Sequence, residues 1–235
     1  MSSCDQALLD GLRDRMRALE GGGRGAGPGV SLPPPLDAHL PWGGLPRGAL
    51  NEVLATDAGP APLFATAALR AVAGTVVWIR RGAALDAGAP CPAGLAAQGL
   101  DPRRVILIAA RNDADALWAM EESLRARVAV LAELGAADET ATRRLALAAE
   151  AGQSLALLLL PDTVRPTPSA AATRWRISSV PSHEGRARFR AELFRCRGAA
   201  PASWLMEESD ETHRLAVATA LHDRTADPHP ARLAG

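Results

Sequence analysis

Five short apolar runs punctuate the chain: Ala49–Leu54, Thr75–Ile79, Val105–Ala109, Val128–Leu134 and Leu155–Leu160. Each has the length of a strand and is continuous rather than alternating, the pattern of strands buried on both faces. Helix signals lie between them. Leu63–Val72 is Ala-rich. Asn112 or Asp113 can cap a helix with Leu117, Met120 and Leu124 on its inner face, and Asp138 can cap another that runs to Gly152, a residue suited to a helix end. Strands alternating with helices in this way predict an α/β fold: a mostly parallel sheet flanked by helices on both faces.

After Pro161 the pattern changes. Thr163–Ala172 reads as a Pro/Ser/Ala loop, and from Thr173 onward residues alternate. Arg174, Arg176 and Ser178 fall on one side, Trp175, Ile177 and Ser179 on the other. Arg188 and Arg190 alternate with Phe189 and Ala191, and the pair Leu193-Phe194 breaks the alternation, as a bulge does. Ser203–Glu208 and His213–Ala218 flank a polar turn. An antiparallel meander over 173–220 is therefore expected to finish the sheet. At the other end, Asp5–Glu20 has helical periodicity, with Leu8, Leu12, Met16 and Leu19 near one face and Arg13, Asp14 and Arg17 away from it. Gly21–Pro35 has the composition of a linker. The expected layout is a helix over 1–20, a Gly/Pro linker over 21–39, a core over 40–221 and a loose polar tail over 222–235.

With 235 residues at 48% hydrophobic, the chain can bury one substantial core, and its formal net charge of zero gives no global steering toward nucleic acid or membrane. It contains no lysine and no tyrosine. The abundance of Ala, Gly, Pro and Arg fits a GC-rich bacterial genome. Cys4, Cys91 and Cys196 are odd in number and far apart, which fits free thiols in a reducing compartment. Asp5, Asp10 and several arginines near the start do not resemble a secretory signal, and Leu155–Leu160 is too short to span a bilayer. A cytoplasmic location without membrane contact is expected. The five histidines show no metal-ligand spacing and no G-x-S-x-G elbow occurs, so neither a metal site nor a hydrolase nucleophile is expected. The adjacent pairs Glu121-Glu122 and Glu207-Glu208 read as solvated surface.

Leu54–Val72, LATDAGPAPLFATAALRAV, runs from a strand through a Gly/Pro loop into a helix, the local architecture of a phosphate-binding loop. Just before it, Gly43–Glu52 reads GGLPRGALNE and resembles the GGLPxGxxxE segment that opens the RecA recombinase core. TVVWIR, Thr75–Arg80, resembles the second core strand. LPWGGLPRGALNEV, GLDPRRVILI, DADALWAMEE, RRLALAAEAG, SAAATRWRI and ELFRCRG together resemble the ImuA family, RecA-like accessory proteins of SOS-inducible mutagenesis, over roughly Leu40–Ala220. The resemblance implies a RecA-like, P-loop NTPase-type core. It also implies work alongside an ImuB-like protein, a catalytically defective relative of Y-family polymerases, and an error-prone replicative-type polymerase.

The residues that would hold a nucleotide are absent. A Walker A loop, GxxxxGK(S/T), wraps phosphates with backbone N–H groups, neutralises them with lysine and holds Mg²⁺ with Ser/Thr. Here the position holds Thr56, Asp57, Ala58, Gly59, Pro60, Ala61 and Pro62. Pro60 and Pro62 have no N–H, Asp57 is anionic, and no lysine exists to recruit. The second strand runs into Ile79-Arg80-Arg81-Gly82 without the glutamate that activates water in a RecA-type ATPase. Glu133 stands where the family's Walker B carboxylate is expected. No nucleotide cofactor is expected, and the loop reads as a retained fold element with Pro60 and Pro62 fixing a turn.

The functional expectation is a non-enzymatic adaptor in SOS-induced mutagenesis and translesion synthesis. The alternatives are a DNA-dependent ATPase or recombinase-like protein, and a regulator of RecA filaments or of cell division. Candidate contacts to a partner, with RecA and DNA as further candidates, are Leu8, Leu12 and Met16 on the N-terminal helix and Arg174, Arg176, Arg186, Arg188, Arg190, Arg195 and Arg197 on the meander. These arginines suit cross-strand pairing with Glu207, Glu208 and Asp210 first, then a protein interface, then phosphate binding. The helix equally suits docking on another chain or folding back on its own sheet.

Overall fold

A computed structural model describes residues 28–57, 59–82, 88–162, 168–181, 186–209 and 214–221. The N-terminal helix and the tail expected from sequence lie outside them. The apolar runs form β1 (Ala49–Ala55), β2 (Val76–Arg81), β3 (Val105–Ala110), β4 (Ala129–Glu133) and β5 (Leu155–Pro161). The alternating region forms β6 (Thr173–Ser179), β7 (Arg188–Cys196), β8 (Ala202–Glu208) and β9 (Leu215–Leu221). All belong to one nine-stranded sheet in the order β3-β2-β4-β5-β1-β6-β7-β8-β9. β1 to β5 pair in parallel, and β6 joins them parallel to β1. The pairs β6–β7, β7–β8 and β8–β9 are antiparallel. The first strand of the expected meander thus completes the parallel sheet.

Helices cover both faces. One face carries α1 (Leu36–His39), α2 (Pro60–Leu69) and α3 (Pro92–Ala97), which pack over Trp78, Leu131, Leu157, Trp175 and Phe189. The opposite face carries α4 (Asp113–Arg125) and α5 (Glu139–Gly152), which pack Met120, Leu124, Leu145 and Ala149 over Val130 and Leu158. Continuous apolar strands are needed where the parallel strands face a core on both sides, as β1, β2, β4 and β5 do. The run 105–109, expected to be buried, is instead the edge strand β3, with Ile106 and Leu107 exposed because no strand covers its outer side.

The helix ends follow local chemistry. Asn112 caps α4 by accepting the Asp115 N–H at 2.8 Å, and Asp138 caps α5 by accepting the Ala141 N–H at 2.7 Å. Asp113, the other cap candidate, instead accepts the N–H groups of Gly135 and Ala136 beyond β4. Gly152 does not stop α5 through a left-handed conformation. Gln153 takes that conformation, at φ 50°. Gly152 is required for closeness, since a Cβ there would lie 1.8 Å from the Leu124 carbonyl oxygen.

Residues 28–39, the latter part of the stretch read as a linker, are packed structure. Val30 pairs with Leu45 in an isolated bridge, the Gly29 N–H donates to Trp42 O, and Val30, Leu32 and Leu36 are buried. This strap explains part of GGLP. Gly44 has φ +146°, and a Cβ on it would meet Val30 O at 2.3 Å. The expected bulge is present: Arg174 pairs with Arg195 and Trp175 with Leu193, which leaves Phe194 as the extra residue.

Candidate functional site

In open α/β sheets ligands bind beyond the carboxyl ends of the parallel strands, where crossovers diverge to opposite faces. Here the first two crossovers pass through α2 and α3 on one face and the next two through α4 and α5 on the other. The loop after β1 is at this end. It is held shut by its own side chains. Asp57 accepts the Ser179 N–H at 2.9 Å, the Ser179 hydroxyl at 2.8 Å and the Gly59 N–H at 3.2 Å. The Thr56 hydroxyl donates to Asp57 at 3.1 Å, and the Thr56 N–H and hydroxyl both reach Ile177 O at 3.1 Å. The slight burial of Asp57 pushes its carboxyl up. The donors from Ser179, Gly59 and Thr56 outweigh that and hold it below its ordinary value.

α2 then begins directly at Pro60, so the two prolines occupy its first turn rather than a turn before it. Pro is suited to the first helical position. It also removes two of the N–H groups that make a helix start attractive to phosphate. The helix itself serves the core: Ala61, Phe64 and Ala65 are fully buried, and the Phe64 ring sits 5.1 Å from Trp175. Trp175 lies 5.8 Å from Trp204, and both are buried in the core as their inward phase predicts.

The neighbouring strand ends are also internally paired. Glu133 accepts the Trp78 indole N–H at 2.6 Å and faces the Arg80 Nε at 2.9 Å. Arg80 also donates to Gly88 O. The Glu133 carboxylate is thus paired with the strand beside it. Arg81 lies 3.6 Å from Asp113. Beyond β5, Asp162 pairs with Arg176 at 2.8 Å, and Arg176 reaches Glu192 at 3.2 Å. The Arg176 guanidinium also lies over the Phe194 ring. Further down the seam between β1 and β6, Glu52 and Arg174 form a buried ion pair with Nε–Oε2 2.7 Å, their side chains 1% and 6% exposed. Beside it, the Thr173 hydroxyl donates to Asn51 and accepts the Trp175 indole N–H.

The meander arginines therefore divide. Arg174 is buried against Glu52 and offers no free surface. Arg176 is half-buried in its acidic pair. Arg188 faces Glu207 at 3.9 Å, the cross-strand arrangement, and Arg186 is half-buried. Arg190 is exposed. Arg195 and Arg197 are also exposed and donate to the Ser169 and Ala170 carbonyls. The strand array does not gather the seven arginines into one patch; Leu8, Leu12 and Met16 lie outside the described residues. Glu121 departs from the solvated reading: it is buried, and it bridges Arg125 on its own helix to Arg144 on α5.

The amino end of the sheet differs. A groove of about 340 Å³ lies between α5 and the starts of β1 and β6. Leu50, Ala146, Leu147 and Ala172 supply apolar walls, and Arg143 and Arg197 are at its rim. Leu147 is 66% exposed, and elsewhere Trp118 on α4 and Ile106 on the edge strand β3 are also exposed. Among the described residues no group of three or more His, Cys, Asp or Glu could hold a metal ion, and no helix is long and apolar enough to cross a membrane.

Fold and site together define an α/β protein with a mostly parallel sheet, whose customary ligand end is occupied by its own ion pairs. No family model matches the chain. Protein ImuA from two strains of Caulobacter vibrioides is 35% identical to it over 243 aligned positions, covering 88% of this chain and 97% of the relative. The chain belongs to the ImuA family.

The sequence reading missed the internal pairs. Their signal was present as charge inside apolar runs: Glu52 within ALNEVL, Arg80 ending VVWIR and Arg174 within TRWRI. A charge in a buried strand needs a partner.

Proposed function

We propose that this chain is a non-enzymatic adaptor of SOS-induced mutagenesis built on a RecA-like core, and that it binds an ImuB-like protein to help assemble an error-prone polymerase at lesions. The family supports a role in mutagenesis. The observation that carries the adaptor reading is the closure of the loop after β1 by Asp57 and Ser179. That loop stands where a RecA-like protein would cradle phosphates. A nucleotide would have to displace these bonds and sit beside a carboxylate, without a lysine anywhere in the chain. Glu133, spent on Arg80 and Trp78, gives a metal ion no open carboxylate there. What remains for function is surface, and that fits a protein that works by contact.

Co-expression with the ImuB-like protein of the same organism, followed by size-exclusion chromatography without nucleotide, tests this reading. A co-eluting complex is expected. Separate elution of two folded proteins would overturn it, and a complex formed only with ATP would overturn the non-enzymatic part.

A further inference from the structure

The groove beside α5 and the helix wall that borders it complement each other. Arg143, Ala146, Leu147 and Glu150 line the groove from α5, at the i, i+3, i+4 and i+7 positions of one helix face. Leu147 stands at the lip, 66% exposed, and the open apolar space lies directly beside it, against Leu50 and Ala172. One patch thus carries an apolar knob and an apolar hollow side by side. Such a surface is self-complementary: a twofold axis through the patch sets the knob of each copy over the hollow of the other. The charges on the stripe choose the direction. Arg143 and Glu150 flank Leu147, four residues before and three after. They are about 10 Å apart along the helix, too far to pair with each other. With two α5 helices parallel, Arg143 would face Arg143 and Glu150 would face Glu150. With the helices antiparallel, Arg143 of each copy faces Glu150 of the other, on both sides of Leu147. Glu150 lacks such a cation on its own helix end. It is exposed in the last turn of α5, where the helix dipole disfavours an acid, and that turn holds no basic residue. Arg143 holds Glu139 at 2.6 Å, and its five-donor fork has N–H groups left for a second carboxylate.

We propose that this face is a contact between two copies of the chain, their α5 helices antiparallel, with Leu147 of each in the groove of the other and Arg143 of each against Glu150 of the other. The patch is one helix face and one groove per copy, at the small end of specific interfaces, so the dimer is weak and dissociates on dilution. It does not rest on the adaptor reading.

Sedimentation velocity of the purified full chain over a range of concentrations tests this. A monomer–dimer equilibrium is expected, and a chain that stays monomeric at every concentration would overturn the proposal. Leu147→Arg is expected to weaken the dimer about tenfold or more. Trp118→Arg, an equally exposed position on α4, is expected to leave it unchanged. A dimer indifferent to Leu147→Arg, or weakened equally by Trp118→Arg, would overturn the proposal, because the copies are then not joined through α5. Arg143→Glu and Glu150→Arg each bring like charges together across the axis, and each is expected to weaken the dimer about fivefold. Combined in one chain they exchange the signs, and the dimer is expected to recover most of that loss. Loss in both single variants without recovery in the double variant would overturn the antiparallel pairing. Urea unfolding of the dilute, monomeric chain shows that each variant is folded, so that a lost dimer is read as a lost contact.

Discussion

The two ends of the parallel sheet are built on opposite principles. At the carboxyl end, polar and charged side chains satisfy one another: Asp57 with Ser179, Glu133 with Arg80 and Trp78, Asp162 with Arg176 and Glu192. At the amino end, the groove beside α5 leaves apolar surface open, with Leu147 largely exposed. An α/β fold customarily places chemistry at the first end. In this chain that end is internally paired, and the opposite end is the one that leaves an apolar groove open among the described residues.

If the sheet is held by internal pairs, breaking them should cost stability in proportion to their burial. Glu52→Ala leaves Arg174 charged and unpaired in the seam, and a loss of about 3–5 kcal/mol is expected in urea unfolding. Glu52→Leu combined with Arg174→Met should recover most of that loss, because the charges are then removed together. Failure of the double variant to recover would mean that the seam needs the pair for more than neutrality. Glu133→Ala strands Arg80 and the Trp78 indole N–H at a half-buried place, with an expected cost of about 1–3 kcal/mol.

Asp57→Asn is smaller, about 1 kcal/mol at neutral pH, since the loop is near solvent. Its sign with pH is distinctive. The carboxyl is held below its ordinary value of 3.8, so its contribution is present above that pH and is lost as pH falls through the lower folded value. The stabilities of the parent and Asp57→Asn should converge in acid, and a gap that widens on acidification would contradict the Asp57–Ser179 tie. At the amino end, Leu147→Arg should change stability by no more than about 0.5 kcal/mol, as at an ordinary surface position. A loss comparable to Glu133→Ala would show that Leu147 belongs to the core and would weaken the contrast between the ends.

Much of this fold was legible in sequence because its strands are short apolar runs and its main helices are capped by Asn112 and Asp138. The bulge at Phe194 was legible from a broken alternation. Other features depend on residues distant in the chain. The strap over 28–39 reads as linker because its glycines and prolines are loop formers by propensity, and only contact with Leu45 and Trp42 turns it into structure. The prolines after Gly59 mark a turn in sequence but are equally at home in the first turn of a helix. That the loop after β1 carries two prolines and an aspartate, and no lysine, was visible residue by residue. That Asp57 is tied to Ser179, 122 positions away, was not, because no periodicity encodes which strand end will lie beside a loop. Arg174 looked like one of a row of surface cations, and it is buried because Glu52 on the adjacent strand neutralises it.

Equilibrium dialysis of the purified full chain against ATP and Mg²⁺ measures most directly whether the carboxyl end is closed. The structure predicts no saturable uptake, with Asp57→Ala also failing to bind because the lysine and the N–H donors are still lacking. Uptake of one ATP per chain, abolished by substitution at Glu133, would contradict the account and make the loop after β1 a nucleotide site.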